Sequence, residues 1–282
     1  MKEKTLIVVT GPTGVGKTET TLRLAEHFGV PVINADSRQI FSEIPIGTAA
    51  PTAAQQARVR HYFVGNHHLE DYYSASLFEE DVLKLINESS SKVSLLSGGS
   101  MMYIDAVCKG IDDIPTIRPE VRKEMMQLLE KEGLAKMCEL LHEWDPEHWA
   151  VVDQSNPRRV IHALEICKQT GRTYTSFRSN TIKERPFNII KIGLNRDRDT
   201  LYQRVLQMID DGMIEEAQRV YPKRMLNSLN TVGYKELFEY LDGLTTLDEA
   251  IFKIQSNTRR YARKQLTWYK RDAEMTWFSP DN

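Results

Sequence analysis

A chain of 282 residues, 41% hydrophobic and 27% charged, has globular composition and enough residues for one large core or two modest ones. Its 15 glycines and 11 prolines exclude a collagenous or disordered polymer. A formal charge of −2 excludes a globally basic protein, so any nucleic-acid surface has to be a local patch.

In chain order, Met1-Lys2-Glu3-Lys4 leads into Leu6 to Val9, an apolar β-branched run that predicts a buried strand. The run is too short for a signal segment or a membrane span, so a cytoplasmic protein without membrane contact is expected. Gly11-Pro12-Thr13-Gly14-Val15-Gly16-Lys17-Thr18 follows directly, and a helical pattern with Leu22 and Ala25 comes next. This is the full G-x-x-x-x-G-K-[ST] phosphate loop in its strand–loop–helix setting. Glycines let successive amides turn around anionic oxygens at the positive end of a helix, Lys17 adds a full charge, and the Thr18 hydroxyl can ligate Mg²⁺. Val32-Ile33, Tyr62-Phe63-Val64 and Val93 to Leu96 predict further short strands, with a helix from Phe78 to Ile86. The last of these runs ends in Ser97-Gly98-Gly99-Ser100, where a nucleotide hydrolase usually places a metal-holding aspartate, and this weakens a kinase or ATPase reading.

After Gly110 the pattern changes, and Pro119 to Thr170 is helical throughout. Asn156 as N-cap, Pro157 in the first turn, the stripe Val160, Ala163, Leu164 and Cys167, and Gly171 at the end mark one helix. Cys108, Cys138 and Cys167 are scattered and lack C-x-x-C spacing, which argues against a zinc or redox centre and fits a reducing compartment. Phe187 to Ile192 predicts a returning strand, followed by a long helical tail. The expected fold is α/β: a P-loop NTPase-like parallel sheet core over 1–114 and 186–282, with a helical insertion domain over 115–185. Near the end, Lys253, Arg259, Arg260, Arg263, Lys264, Lys270 and Arg271 occur without an acidic residue between them. Arg259 and Arg263, like Arg260 and Lys264, are one helical turn apart and share a face that is either polyanion-binding or merely solvated. Tyr261, Trp268 and Tyr269 add aromatic surface for stacking or for packing.

Several ordered motifs resemble one family, the tRNA dimethylallyltransferases, also called tRNA isopentenyltransferases. Asp36-Ser37-Arg38-Gln39 resembles its D-S-x-Q, Ile46 to Thr52 its I-G-T-A-K-P-T, and His67-His68-Leu69 its H-H-L. Asp145-Pro146, Asn156 to Glu165, Val232 to Glu236 and Thr258 to Trp268 are similar to its later motifs, so the resemblance runs nearly end to end. There are three departures. Ala50 replaces the family's lysine, Ser100-Met101-Met102 stands for T-G-L in G-G-T-G-L-Y, and the segment before Arg204 is about one helical turn shorter. Met101 is expected to disturb local geometry, because methionine lacks the φ/ψ freedom of glycine.

The resemblance implies transfer of a dimethylallyl group from dimethylallyl diphosphate to the exocyclic N6 amine of adenosine 37, beside the anticodon. That amine is a poor nucleophile, and a carboxylate that takes its proton helps. Asp36, which by itself reads equally as a cap after a strand, matches the residue given this role. The departing diphosphate calls for positive charge, which Gly11 to Thr18, Mg²⁺ on Thr18 and Arg204 would supply. By itself Arg204 reads as a surface helix residue. Thr13 is implied as a catalytic contact and Ser100 as a phosphate contact. Ser37, Gln39, Thr48, His67, Arg158, Arg159, Arg259, Arg260, Arg263 and Lys264 are implied as contacts to the tRNA anticodon stem-loop, whose target base must leave its stack. No obligate protein partner is evident, and a monomer is expected. The rival readings are an adenylate isopentenyltransferase, a small-molecule P-loop kinase, and a tRNA-binding protein without catalysis.

Overall fold

The computed structural model describes residues 3–179, 181–195 and 200–279. Its strands are β1 (Thr5–Thr10), β2 (Val32–Asn34), β3 (His61–Tyr62), β4 (Val93–Ser97), β5 (Asn188–Leu194) and β6 (Met275–Phe278). They form one sheet in the order β3-β2-β4-β1-β5-β6, and every pairing is parallel. The helices are α1 (Lys17–Phe28), α2 (Ala53–Arg58), α3 (Ala75–Glu88), α4 (Met101–Lys109), α5 (Pro119–Trp144), α6 (Pro146–Val151), α7 (Pro157–Thr170), α8 (Thr200–Asp210), α9 (Met213–Val220), α10 (Tyr234–Leu241) and α11 (Leu247–Tyr269).

The continuous apolar run of β1 reflects burial on both faces of the sheet. Leu6 and Val8 point to one side, where they meet Leu96, Phe78 and Val82 of α3, and Tyr103 and Val107 of α4. Ile7 and Val9 point to the other and meet Leu95 with Leu22 and Ala25 of α1. Each such side chain contributes about 1.5–3 kcal/mol when fully buried. A third cluster packs the chain after β2 (Ile40, Phe41, Ile44), with Leu69 from beyond β3, against Val205, Met213, Tyr234 and Ile254 of α8 to α11. It fixes the irregular segment between β2 and β3. Arg185, buried, pairs with buried Glu79 at 2.6 Å and donates to the carbonyls of Ala106 and Val107, which holds the approach to β5 against α3 and α4.

The chain divides into two compact units, Met1–Lys109 with Glu184–Asn282, and Gly110–Lys183. Among the described residues the second has helices and no strand, and it has its own core, including Met125, Met137, Leu141, Val160 and Leu164. Its D-P motif serves structure. Asp145, 1% exposed, accepts hydrogen bonds from the amides of His148 and Thr175 and from the Thr175 hydroxyl, so it caps α6 and pins a distant turn.

Two expectations change. The helical tail ends in a strand, β6, paired in parallel with β5. Met101 begins α4, and among the described residues only Ala49 and Phe63 are non-glycines with positive φ, so that position asks for no glycine freedom. Among the described residues no helix is long and apolar enough to cross a membrane.

Candidate active site

In an all-parallel sheet the loops at the carboxyl ends of the strands gather on one edge, and ligands bind there. Here that edge carries the phosphate loop after β1, the turn Ala35 to Gln39 after β2, and Ser97 to Ser100 after β4. These turns are tied together. The Ala35 amide donates to Ser97 O at 2.7 Å, the Ser100 amide donates to Ala35 O at 3.1 Å, and Thr10 Oγ1 donates to Gly98 O at 3.0 Å.

The phosphate loop closes onto α1 through Gly16, whose φ of 95° suits glycine and which stands at the helix N-cap. Thr13, Gly14, Gly16, Lys17 and Thr18 line a cavity of about 110 Å³ that also holds Asp36, Ser97, Gly98, Gly99 and Arg204. Gly11, Pro12 and Val15 are not on its wall. Lys17 Nζ donates to Gly11 O at 3.1 Å and Pro12 O at 2.9 Å, and the Val15 side chain packs into the core. Burial, reinforced by the nearby Arg204 charge, lowers the Lys17 ammonium to about 8, while Asp36 opposes the shift. Arg204 stands on α8 beside the loop, its Cδ 4.0 Å from where a β-carbon on Gly14 would be. Burial lowers its pKa too, and Asp36 again opposes. The cavity therefore brings together two partly desolvated cations and one carboxylate, a charge arrangement able to receive an anion.

Asp36 shapes its own turn and also lines the cavity. Its Oδ1 accepts from the amides of Arg38 (2.9 Å) and Gln39 (3.4 Å) and so shapes the turn, while the residue lines the cavity. The Ser100 hydroxyl accepts from the Ser37 amide at 2.8 Å and donates to Ser37 Oγ, so it is engaged in holding the Asp36 turn. Gln39 Nε2 donates to the carbonyls of Thr48 and Ala49, and Thr48 Oγ1 donates to Ile44 O. Thr48 nonetheless lines the cavity. His67 does not: its ring lies 4.4 Å from that of Tyr73, and its Nδ1 is 3.6 Å from Asp71.

A larger hollow of about 850 Å³ shares Thr13, Asp36, Thr48, Ala49, Arg204 and Tyr261 with the first. One side is apolar, from Leu201, Val205 and Met208 of α8, and its rim carries Arg260, Arg263 and Lys264 of α11. Arg259, on the same helix, lies off this hollow and donates to Tyr202 Oη at 3.5 Å. Arg158 and Arg159 belong to the helical unit, where both are exposed in the first turn of α7.

Sequence reasoning missed three supports. Gln265 is buried and bridges the Thr13 amide to Gly99 O. Glu216, fully buried in α9, accepts from the amides of Ile46 and Gly47 and from the Tyr234 hydroxyl, which anchors the loop carrying Thr48. Ala49, at φ 50°, is a strained residue held by Gln39 on the wall of both cavities. The first two left a faint mark, since Gln265 and Glu216 are lone polar residues inside apolar helical stripes.

A metal fit is limited to hard oxygen donors. Among the described residues no three His, Cys, Asp or Glu side chains cluster as ligands, and the oxygen donors on this wall include the Thr18 and Ser97 hydroxyls and the Asp36 carboxylate. That suits Mg²⁺, which keeps most of its ligands as water and phosphate oxygens.

The sheet and its cavity define an α/β protein of the P-loop type in which Lys17, Arg204 and Asp36 face one small cavity. A family model described as IPP transferase matches residues 39–272. A protein named tRNA dimethylallyltransferase 2 from Parabacteroides distasonis is 60% identical over 282 residues, 98% of this chain and 94% of that one. Another, named tRNA dimethylallyltransferase 1, from Bacteroides fragilis, is 57% identical over 287 residues and spans 100% of this chain and 95% of its own. Among solved structures, the tRNA isopentenylpyrophosphate transferase of Bacillus halodurans superposes with a TM-score of 0.69 at 36% identity, covering 98% of this chain and 90% of that one. A eukaryotic dimethylallyltransferase described as acting on tRNA shares the fold, with a TM-score of 0.77 at 24% identity over 94% of this chain and 69% of its own. The chain belongs to the IPP transferase family.

Proposed function

We propose that the protein is a tRNA dimethylallyltransferase that joins the dimethylallyl group of dimethylallyl diphosphate to N6 of adenosine 37 and releases diphosphate. The observation that carries this reading is the Asp36 carboxylate in the same small cavity as the phosphate loop, Lys17 and Arg204. The chemistry follows from that juxtaposition. The N6 lone pair forms the new C–N bond, the C–O bond to diphosphate breaks with its electron pair on the leaving oxygen, and the N6 proton passes to Asp36. Lys17 and Arg204 hold the charge that develops on diphosphate. Thr13 fixes the loop at the junction of the two cavities. When bound at Thr18, Mg²⁺ adds further neutralisation of the diphosphate.

The apolar side of the larger hollow suits a five-carbon chain, and its cationic rim suits RNA phosphates. In this reading Ser37 and Thr48 meet the RNA directly, while Gln39 and His67 act through the loops they hold. Arg158 and Arg159 of the helical unit, with Arg259 on α11, add contacts to the anticodon stem. The protein acts as a monomer.

The test offers Mg²⁺ and radiolabelled dimethylallyl diphosphate with either unmodified tRNA or free AMP, with and without ATP. Label is expected in tRNA alone, with ATP neither consumed nor required, because an allylic diphosphate already carries its leaving group. Label on AMP would identify a free-nucleotide enzyme, ATP consumption without prenyl transfer a kinase, and tight tRNA binding without label a protein that has lost its chemistry.

A further inference from the structure

The side chain of Gln265 joins the basic helix to the phosphate loop. In α11 the cations Arg259, Arg260, Arg263 and Lys264 are exposed, while Ala262, Gln265, Leu266 and Tyr269 form the buried stripe. Gln265 is the only amide in that stripe and is 1% exposed. Its Oε1 accepts from the Thr13 amide at 2.9 Å, and its Nε2 donates to Gly99 O at 2.8 Å. A single carboxamide thus joins the loop after β1 to the turn after β4, and joins both to the helix. The absence of a side chain at residue 99 belongs to the same contact, since a β-carbon there would lie 2.6 Å from Gln265 Nε2. The chemistry is specific. A carboxylate in that place has no donor for Gly99 O, a thioether has neither group, and asparagine is one methylene short.

We infer that Gln265 is a positioning residue: it sets the phosphate loop against the Gly98-Gly99 turn and makes that setting depend on where α11 sits. Gln265 follows Lys264 directly, so RNA phosphates drawn to the exposed face of α11 act on the same helical turn that holds Thr13. RNA and diphosphate then favour one arrangement of the loop, and each raises the affinity of the other by the same factor. This inference rests on the RNA reading of α11 given above.

The test measures binding of inorganic diphosphate with Mg²⁺ by calorimetry, with and without unmodified tRNA, to the full chain and to Gln265→Met, which keeps side-chain volume and removes both hydrogen bonds. In the parent chain tRNA is expected to tighten diphosphate by about tenfold, within the usual range for coupled sites. In Gln265→Met that factor should fall toward one, while the affinity for tRNA alone stays within about twofold and kcat for prenyl transfer drops by about tenfold or more. Gly99→Ala, which displaces the amide from the other side, should lower the coupling factor in the same way, and the double variant should be no worse than either single one. An unchanged coupling factor in Gln265→Met would overturn the inference. So would additive effects of the two substitutions, or a loss confined to affinity for tRNA alone. Because the readout is diphosphate and tRNA binding, it stands even if no label is transferred, so failure of the prenyl-transfer reading is scored separately.

Discussion

Asp36 spends Oδ1 on the amides of its own turn, so removing the carboxylate altogether would damage geometry as well as chemistry. Asp36→Asn keeps an acceptor for those amides and loses the base. Single-turnover transfer should slow by roughly 10²-fold or more while tRNA affinity is unchanged, because proton transfer counts only in the transition state. An unaltered rate with equal tRNA binding would remove Asp36 from the mechanism. Lys17 gives a pH signature. Burial, then Arg204, lowers its ammonium to about 8 in the unliganded protein, and diphosphate binds the charged form. The group is charged below about pH 8 and loses its proton above it, so kcat/KM for the prenyl diphosphate should be level on the acid side and fall as pH rises through about 8. Lys17→Met should show a much lower value without that step, measured across about pH 6.5 to 9.5, a range of roughly 1.5 units either side. At this scale the phosphate loop was legible because eight consecutive residues carry it. Gln265 was not, because its partners Thr13 and Gly99 are 252 and 166 residues away in the chain.

Helix α11 serves three ends along its length. Its first turn is closed by a capping box between Thr246 and Glu249, its buried stripe supports the sheet and the phosphate loop, and its exposed face carries the cations. The sequence showed the cations through their spacing but left open whether the face binds or is only solvated. Arg260, Arg263 and Lys264 on the rim of the 850 Å³ hollow favour binding. Arg263→Ala with Lys264→Ala should weaken tRNA binding and reduce its log–log salt dependence by about 0.7–0.9 for each RNA phosphate left without its cation, with diphosphate affinity unchanged in the absence of tRNA. Filter binding across a salt series checks this, and an unaltered slope would mean that the face is solvated only. The strand β6 was hidden for a different reason. Its four residues follow the long helix closely, and only pairing with β5, over Lys191 to Leu194, makes them a strand.

At the scale of the molecule, the alternation of strands and helices revealed the parallel sheet, and the change of pattern after Gly110 marks the stretch that carries α5, α6 and α7. Strand order was not legible, since it depends on crossovers that leave no local mark. That order has a consequence for how the chain comes into being. Thr5 of β1 pairs with Asn188, more than 180 residues later. At synthesis rates of about 5–20 residues per second, the strand bearing the phosphate loop waits roughly 10 to 40 s for its second neighbour. During that interval one edge of β1 is an unpaired template for any passing strand. The residues made in the meantime include Gly110–Lys183, which have a core of their own to collapse upon. The helical unit therefore fills the delay with a piece that need not wait, and the nascent sheet is exposed to misassembly until β5 leaves the ribosome.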